Sequence, residues 1–505
     1  MSKVPAKDSL PDLPACRYGR ECYRANPLHF KQFSHPEGYM PGMKRSHPVD
    51  DDDKPSGSQK RANIATAPQL PANGANGRRD IAGFHLTKVL GLPAEHNSNA
   101  LSLSDILREI RPTSSIHFNF MIDLEWLLRQ YPSSSSPHEM TLVVGESSGT
   151  DYAHVNRDAQ ALPSSSKFSV KVARARLFLQ YGSHHTKMSL LKSTDGLHVL
   201  ISTANLIERD WGEKTQGVFI CSARPNDSTN GAAKKSVDNF GDDLVQYLNA
   251  YSNSKEWTLI KEWCDAVSAH DFSSVKARLI ASVPGYHRAN DRDKWGHMRL
   301  RTTLRSVDRD QRCHLVGQFS SIGSLGAKPE TWVCGQFLRS LVGGQPTTNC
   351  RPLLIYPTVN DVRNSLEGYI AGASLPYQSK TADRQPWLRS LLHRWRSDSH
   401  GRSRAMPHIK SYALITADDK VRWMLLTSAN LSKAAWGELQ KSDTQLMIRS
   451  YELGVLLEDD QHAGMDTKVL PYDWPLTKYD GDDRPWVTDV KYSAPDVLGM
   501  TWPPH

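Results

Sequence analysis

The stretch HTKMSLLKSTDGLHVLISTANLIERDWGEKTQ, residues 185–216, decides how this chain is read, because its landmarks occur a second time. A His-x-Lys triplet (His185, Lys187) precedes the apolar run LHVLIST (197–203). Then come Thr203-Ala-Asn205-Leu206, Trp211-Gly212 and Thr215-Gln216. Residues 408–445 repeat the series with His408 and Lys410, the run WMLLTSAN (423–430) containing Ser428-Ala-Asn430, then Leu431, Trp436-Gly437 and Thr444-Gln445. Histidine and asparagine are 20 residues apart in the first copy (185 to 205) and 22 in the second (408 to 430). Self-similarity over so long a period marks a duplicated structural unit, and two related halves are expected.

The residue types define a chemistry. On an extended segment, side chains two apart project to one face, so each triplet presents an imidazole beside an ammonium. Two such faces with two asparagine amides supply one nitrogen to attack phosphorus and another to protonate a leaving oxygen. The cations and N–H donors stabilise the charge of a pentavalent phosphorus. The two lysines perform the neutralisation, so no metal is expected in catalysis.

Outward from the repeat, DILREI (105–110), DLEWLLRQY (123–131) and WLRSLLHRW (387–395) space apolar residues at helical intervals, the last placing Trp387, Leu388, Leu391, Leu392 and Trp395 on one face. MTLVVG (140–145), LHVLIST, LLIYPTV (353–359) and WMLLTSAN read as strands. Strands alternating with helices imply α/β layers. Residues 38–80 are rich in Pro, Gly, Ser, Asn and Ala and poor in large apolar residues, the composition of a disordered linker. Its basic pairs Lys44-Arg45 and Lys60-Arg61 fit a bipartite nuclear-import pattern and fit solvated disorder equally well.

The 505 residues carry a net charge of +8, with 38% hydrophobic and 23% charged residues, and the pI is about 9.0. A basic balance favours a polyanionic partner. No run of about 18 apolar residues is present, so no membrane span is expected, and the N-terminus has no signal-peptide pattern. Seven cysteines, mostly far apart, argue for a reducing compartment. Arg288 to Arg312 holds eight Arg or Lys against four Asp, which reads as a basic helix facing DNA or as a solvated face.

These motifs resemble the phospholipase D superfamily, and most closely its tyrosyl-DNA phosphodiesterase family. The superfamily's motif has an Asp five residues after the Lys; here Lys192 and Ile415 stand there, a departure this branch shares. The resemblance runs from about residue 81 onward through YGSHHTKM (181–188), KTQG (214–217), GQFSSIGSLG (317–326), SLEGY (365–369), SLPY (374–377), GRSRAMPHIK (401–410), TSANLSKAAWG (427–437) and TQLMIRSYELGVL (444–456). It implies a nucleophile at His185, a general acid and base at His408, and phosphoryl ligands at Lys187, Lys410, Asn205 and Asn430. Gln216 and Glu452 are implied to orient the imidazoles; which serves which stays open, a crossed arrangement included. For DNA contact it points to Tyr181 and Phe120, the latter equally a core residue. Ser320, Ser321 and Ser324 lie in a Gly-flanked loop suited to cradling phosphate.

Near the N-terminus, Cys16, Cys22, His29 and His35 form a Cys2His2 set suited to tetrahedral zinc. CRYGRECYRANPLHFKQFSHP resembles the poly(ADP-ribose)-binding zinc finger, which implies that Tyr18, Tyr23 and Arg24 contact the adenine and phosphates. The expected architecture is a finger (10–37), a disordered linker (38–80), and two phospholipase D-like α/β/α sandwich domains (81–285 and 286–505) related by pseudo-twofold symmetry. The expected function is a monomeric nuclear DNA-repair phosphodiesterase that hydrolyses 3′-phosphotyrosyl bonds to topoisomerase I-derived peptides through a phosphohistidine, and by extension other 3′ adducts. The alternatives are another nuclease of the superfamily, or a non-catalytic DNA or poly(ADP-ribose) adaptor.

Overall fold

Residues 80–133, 136–146, 149–150, 152–226, 239–304, 313–344, 350–458 and 464–502 are described by a computed structural model. The finger residues Cys16, Tyr18, Cys22, Tyr23, Arg24, His29 and His35, and the linker up to residue 79, lie outside the described residues. Residues 81–505 form one compact unit.

Strands β1 to β8 span Gly83–Leu86, Ser114–Phe118, His138–Gly145, Phe168–Ala175, Met188–Ser193, Gly196–Ser202, Gly217–Pro225 and His270–Asp271. Strands β9 to β18 span Arg278–Ser282, Gly285–Arg288, Cys313–Gln318, Cys350–Ile355, Leu392–His393, Ser411–Thr416, Val421–Thr427, Glu438–Gln440, Gln445–Ile448 and Glu452–Glu458. One sheet runs β4-β3-β2-β5-β6-β7-β1, and another runs β13-β12-β11-β14-β15-β18-β9. The pairing senses match position by position. In each sheet three strands are mutually parallel (β2 to β4; β11 to β13), and the other four are antiparallel. The repeat in the sequence is therefore a repeat of topology. The second sheet begins with β9, so Arg278–Ser282 belongs to it.

Period-two alternation divides the first sheet's side chains between two cores. Leu191, Leu200 and Ile220 pack with Leu103, Ile106, Leu107, Trp126 and Leu127 from the helices Leu103–Ile110 and Leu124–Gln130. The first helix starts in a capping box, with Asp105 N–H on Ser102 Oγ and Ser102 N–H on Asp105 Oδ2. Their neighbours Leu190, Val199 and Phe219 face the other way and join Ile409, Leu426, Leu453 and Val455 of the second half. The inner layer is thus shared, and the halves are joined through an apolar core.

Two expectations are corrected. WLRSLLHRW is not one helix: Pro386–Leu391 is a 3-10 turn, and Leu392–His393 is a strand paired with β12. Its apolar residues still point inward, so their spacing was a burial signal. Thr444-Gln445 is not the twin of Thr215-Gln216. It lies at the start of β17 in a separate three-stranded sheet, where Gln445 Oε1 accepts from Arg288 Nε at 2.7 Å. The described cations of Arg288–Arg312 include Arg292 paired with Asp293 and Arg299 paired with Asp243; residues 305–312 lie outside the described residues.

A buried ion cluster also crosses between the halves. Glu367, from SLEGY, accepts from Lys214 Nζ at 2.7 and 2.8 Å and from Arg209 at 2.6 Å. Removing one member of a buried pair strands the other charge. Glu367→Gln is expected to lower unfolding free energy by about 3–5 kcal/mol, read by chemical denaturation. Adding Lys214→Met should recover part of that loss.

Candidate active site

The two triplets meet in one site, close enough that Lys187 and His185 act on His408 and Lys187 on Lys410. Their backbones are pinned across the halves in matching fashion. His185 N–H donates to Tyr451 O at 3.0 Å and Tyr451 N–H to Ser183 O at 2.9 Å. In the other direction, His408 N–H donates to Thr215 O at 3.0 Å and Thr215 N–H to Met406 O at 3.0 Å. Tyr451 immediately precedes Glu452, and Thr215 precedes Gln216. Each brace therefore delivers an orienting side chain from one half to the imidazole of the other.

The side chains follow that exchange. His185 Nδ1 lies 2.9 Å from Glu452 Oε2, and His408 Nδ1 lies 2.9 Å from Gln216 Nε2. Behind each orienting residue stands a hydroxyl from the asparagine motif. Ser428 Oγ donates to Glu452 Oε2 at 2.5 Å and accepts from Leu453 N–H at 3.0 Å. Thr203 Oγ1 donates to Gln216 Oε1 at 2.8 Å and accepts from Gly217 N–H at 3.0 Å. The structural twin of Gln216 is therefore Glu452. A carboxylate on Nδ1 holds the proton there and leaves His185 Nε2 with a lone pair.

Lys187 Nζ donates to His185 O at 2.9 Å, and Lys410 Nζ donates to His408 O at 2.5 Å. Both lysines are buried. Burial pulls the Lys187 ammonium down to about 8, against the opposing charges of Glu452 and Asp210. Lys410 is pushed well below the usual lysine range by burial and then by Lys187. Both histidines are lowered, chiefly by burial. For Glu452 burial acts to raise the carboxyl, but His185, the Ser428 hydroxyl and Lys187 outweigh it and hold the group ionised. The result is an imidazole of lowered basicity on an ionised carboxylate, between two desolvated lysines.

The asparagines are held differently. Asn430 Oδ1 accepts from Ser320 N–H at 3.1 Å and Ser320 Oγ at 3.2 Å, leaving Nδ2 as the end available to an anion. Asn205 N–H and Nδ2 donate to Asp210 Oδ2 at 2.7 and 2.9 Å, and its Oδ1 is buried without a partner.

Comparison with known proteins places this geometry. Residues 83–480 match the family described as Tyrosyl-DNA phosphodiesterase. The chain belongs to the tyrosyl-DNA phosphodiesterase family. A "Probable tyrosyl-DNA phosphodiesterase" of Caenorhabditis elegans is 40% identical, over 86% of this chain and 94% of that protein. The "Tyrosyl-DNA phosphodiesterase 1" of Drosophila melanogaster is 32% identical over 94% and 99%. The crystal structure of the yeast tyrosyl-DNA phosphodiesterase shares the fold, with a TM-score of 0.61 at 20% identity over 80% of this chain and 99% of that one. Residues 13–38 match the PBZ domain.

Within this family member, the structure brings together His185, His408, Lys187, Lys410, Asn205, Gln216 and Glu452, and Asn430 stands on Ser320 just past the end of β15. Phe120 stands beside them, its ring edge-on to His185 at 5.2 Å and 5.5 Å from Lys187 Nζ. It is half-buried, a wall of the cluster. Tyr181 is 82% exposed on the loop leading to His185. The three serines diverge: Ser320 is committed to Asn430, Ser321 Oγ donates to Pro376 O at 2.8 Å, and Ser324 is exposed. Of the positions that carry Asp elsewhere in the superfamily, Lys192 lies over the Trp263 ring and Ile415 is core.

Sequence reading missed Asp210, Thr203 and Ser428 as functional residues. Asp210 had a signal: five residues after Asn205 there is Asp, whereas five after Asn430 there is Ala435.

A cation that binds phosphate is charged only below its pKa, so its contribution is lost as pH rises through that value. With Lys187 near 8, kcat/KM for a phosphodiester is expected to fall above about pH 8. In Lys187→Arg that alkaline limb should move upward, since guanidinium stays protonated. A kcat/KM profile from pH 6 to 10 measures both.

Proposed function

We propose that this protein is a DNA-repair phosphodiesterase that hydrolyses the bond between a DNA 3′ phosphate and the tyrosine of a topoisomerase I-derived peptide. The observation that carries the reading is the crossed pairing of two buried imidazoles, each with its orienting residue from the opposite half, between two lysines. A binder of DNA or poly(ADP-ribose) needs cations; it does not need two histidines held by Nδ1.

In this reading His185 Nε2 attacks phosphorus, its Nδ1 proton resting on Glu452, whose charge stabilises the cationic phosphohistidine. The tyrosyl oxygen leaves with a proton from His408. Water then attacks phosphorus, His408 takes its proton, and the P–N bond breaks to release His185 and a 3′ phosphate. Lys187, Lys410 and the asparagine amides hold the non-bridging oxygens through both steps. Tyr181 offers an exposed ring for base stacking, and other 3′ adducts fall within the same chemistry. No step draws on a metal. A 3′-phosphotyrosyl oligonucleotide should therefore be converted to the 3′ phosphate with EDTA present. His185→Ala should abolish turnover. His408→Ala should slow it by about 10²–10⁴-fold and accumulate a covalent protein–DNA adduct on denaturing gels. An inactive wild type would sink the reading.

The PBZ match supports a second function for the N-terminal segment. Cys16, Cys22, His29 and His35 suit Zn²⁺, and metal would supply folding energy that so small a segment lacks. Tyr18, Tyr23 and Arg24 would then meet adenine and phosphate of poly(ADP-ribose), recruiting a monomeric enzyme in the nucleus. The basic pairs of the linker suit nuclear import. Cys22→Ala is expected to remove poly(ADP-ribose) binding on a filter assay while cleavage of free oligonucleotide persists; unchanged binding would remove the assignment.

A further inference from the structure

His408 Nδ1 has two neighbours of opposite polarity: Gln216 Nε2 at 2.9 Å and Asp210 Oδ2 at 3.3 Å. The hydroxyl behind Gln216 decides what its amide offers. Thr203 Oγ1 accepts from Gly217 N–H, and of the two acceptors within reach of its own hydrogen, Gln216 Oε1 at 2.8 Å is nearer than Gly217 O at 3.5 Å. Gln216 then turns an NH2 donor toward His408. That partner suits a bare Nδ1. A general acid working through Nε2 carries hydrogen on Nδ1 both before and after it gives up its proton, and such a ring needs an acceptor.

Asp210 is the carboxylate within ion-pair distance of that ring, Oδ2 lying 3.3 Å from Nδ1. It is 2% exposed, on the helix Glu208–Gly212, and the same oxygen takes the Asn205 N–H and Nδ2. The second copy has Ala435 there, so the carboxylate is present in one half alone and is not a requirement of the duplicated fold. We propose that Asp210 is the positioning residue that holds the Nδ1 proton of His408, so that each histidine works against its own carboxylate, His185 against Glu452 and His408 against Asp210. The inference rests on the phosphodiesterase reading above. As the bond from His185 Nε2 to phosphorus forms, the P–O bond to tyrosine breaks and that oxygen takes the proton from His408 Nε2. His408 is left neutral with Nδ1–H on Asp210. In the second step Nε2 takes a proton from the attacking water as the P–N bond breaks. Around His408, burial and then Lys410, Lys187, Lys214 and His185 all drive its proton off, and Asp210 is the carboxylate that stands at ion-pair distance from the ring, at 3.3 Å.

The test compares two leaving groups on the same oligonucleotide, 3′-phosphotyrosine and 3′-p-nitrophenyl phosphate, using the full chain. Nitrophenolate departs without needing a proton. Asp210→Asn is expected to lower kcat for phosphotyrosine by at least about 100-fold. The nitrophenol burst should fall less than about five-fold, because general-acid help matters little there. Equal losses on both leaving groups, or no loss, would overturn the proposal, leaving Asp210 to act only through Asn205. Asp210→Asn with Gln216→Glu returns a carboxylate to Nδ1 in the manner of Glu452. It should recover phosphotyrosine cleavage at least about ten-fold over the single variant; a folded double variant without recovery counts equally against it. Wild type cutting both substrates is the control for the reading beneath.

Discussion

The exchange of orienting residues between the halves is the constraint on which the rest of the site depends. His185 is positioned by Glu452 and His408 by Gln216, at 2.9 Å each. Hydrogen bonds of that length fix a ring only if both backbones are fixed, and the reciprocal braces through Tyr451 and Thr215 do this. The packing beneath leaves little freedom. A Cβ at Gly217, next to Gln216, would lie 2.7 Å from Leu426 and 2.9 Å from Ile409, both buried side chains of the other half. Neither half contains a complete imidazole site, so docking the halves and assembling the site are one event.

The same docking creates the electrostatics. Two ammonium groups and two imidazoles are taken out of water, and burial is the main reason all four are depressed; for the two histidines and Lys410 the neighbouring cations add to it. Glu452 and Asp210 answer part of that charge. What remains is a set of donors that a phosphoryl group with developing negative charge satisfies better than water does, in a place where little reorganisation is needed. The charges are tolerated because each also has a fixed hydrogen-bond partner: the lysines on the carbonyls of their own histidines, Glu452 on Ser428.

Much of this was legible in the chain. The recurrence of His-x-Lys and Ser/Thr-Ala-Asn-Leu implied two halves, and the strand orders agree one for one. Where reading failed, it failed for identifiable reasons. Thr444-Gln445 repeats the letters of Thr215-Gln216, but Gln445 lies in a small extra sheet, and Glu452 takes the equivalent place on β18. The apolar spacing of residues 387–395 is compatible with a helix. However, the free edge of β12 recruits Leu392–His393 as a strand, and backbone pairing outweighs local periodicity. Asp210 was visible as an asymmetry between copies, but an acid next to Trp-Gly reads as helix surface until the fold buries it.

By itself the sequence determined the duplicated α/β architecture and the pairs of histidine, lysine and asparagine, because those follow from residue types at fixed local spacing; Gln216 and Glu452 came from resemblance to the family, along with its phosphodiester chemistry. Only the tertiary structure decided which residue answers which. That Glu452 belongs to His185 and Gln216 to His408 depends on pairing between segments more than 190 positions apart. The unlike work of two similar motifs has the same origin: a carboxylate in one place and an amide in its twin, with Asp210 brought beside the second histidine by the fold.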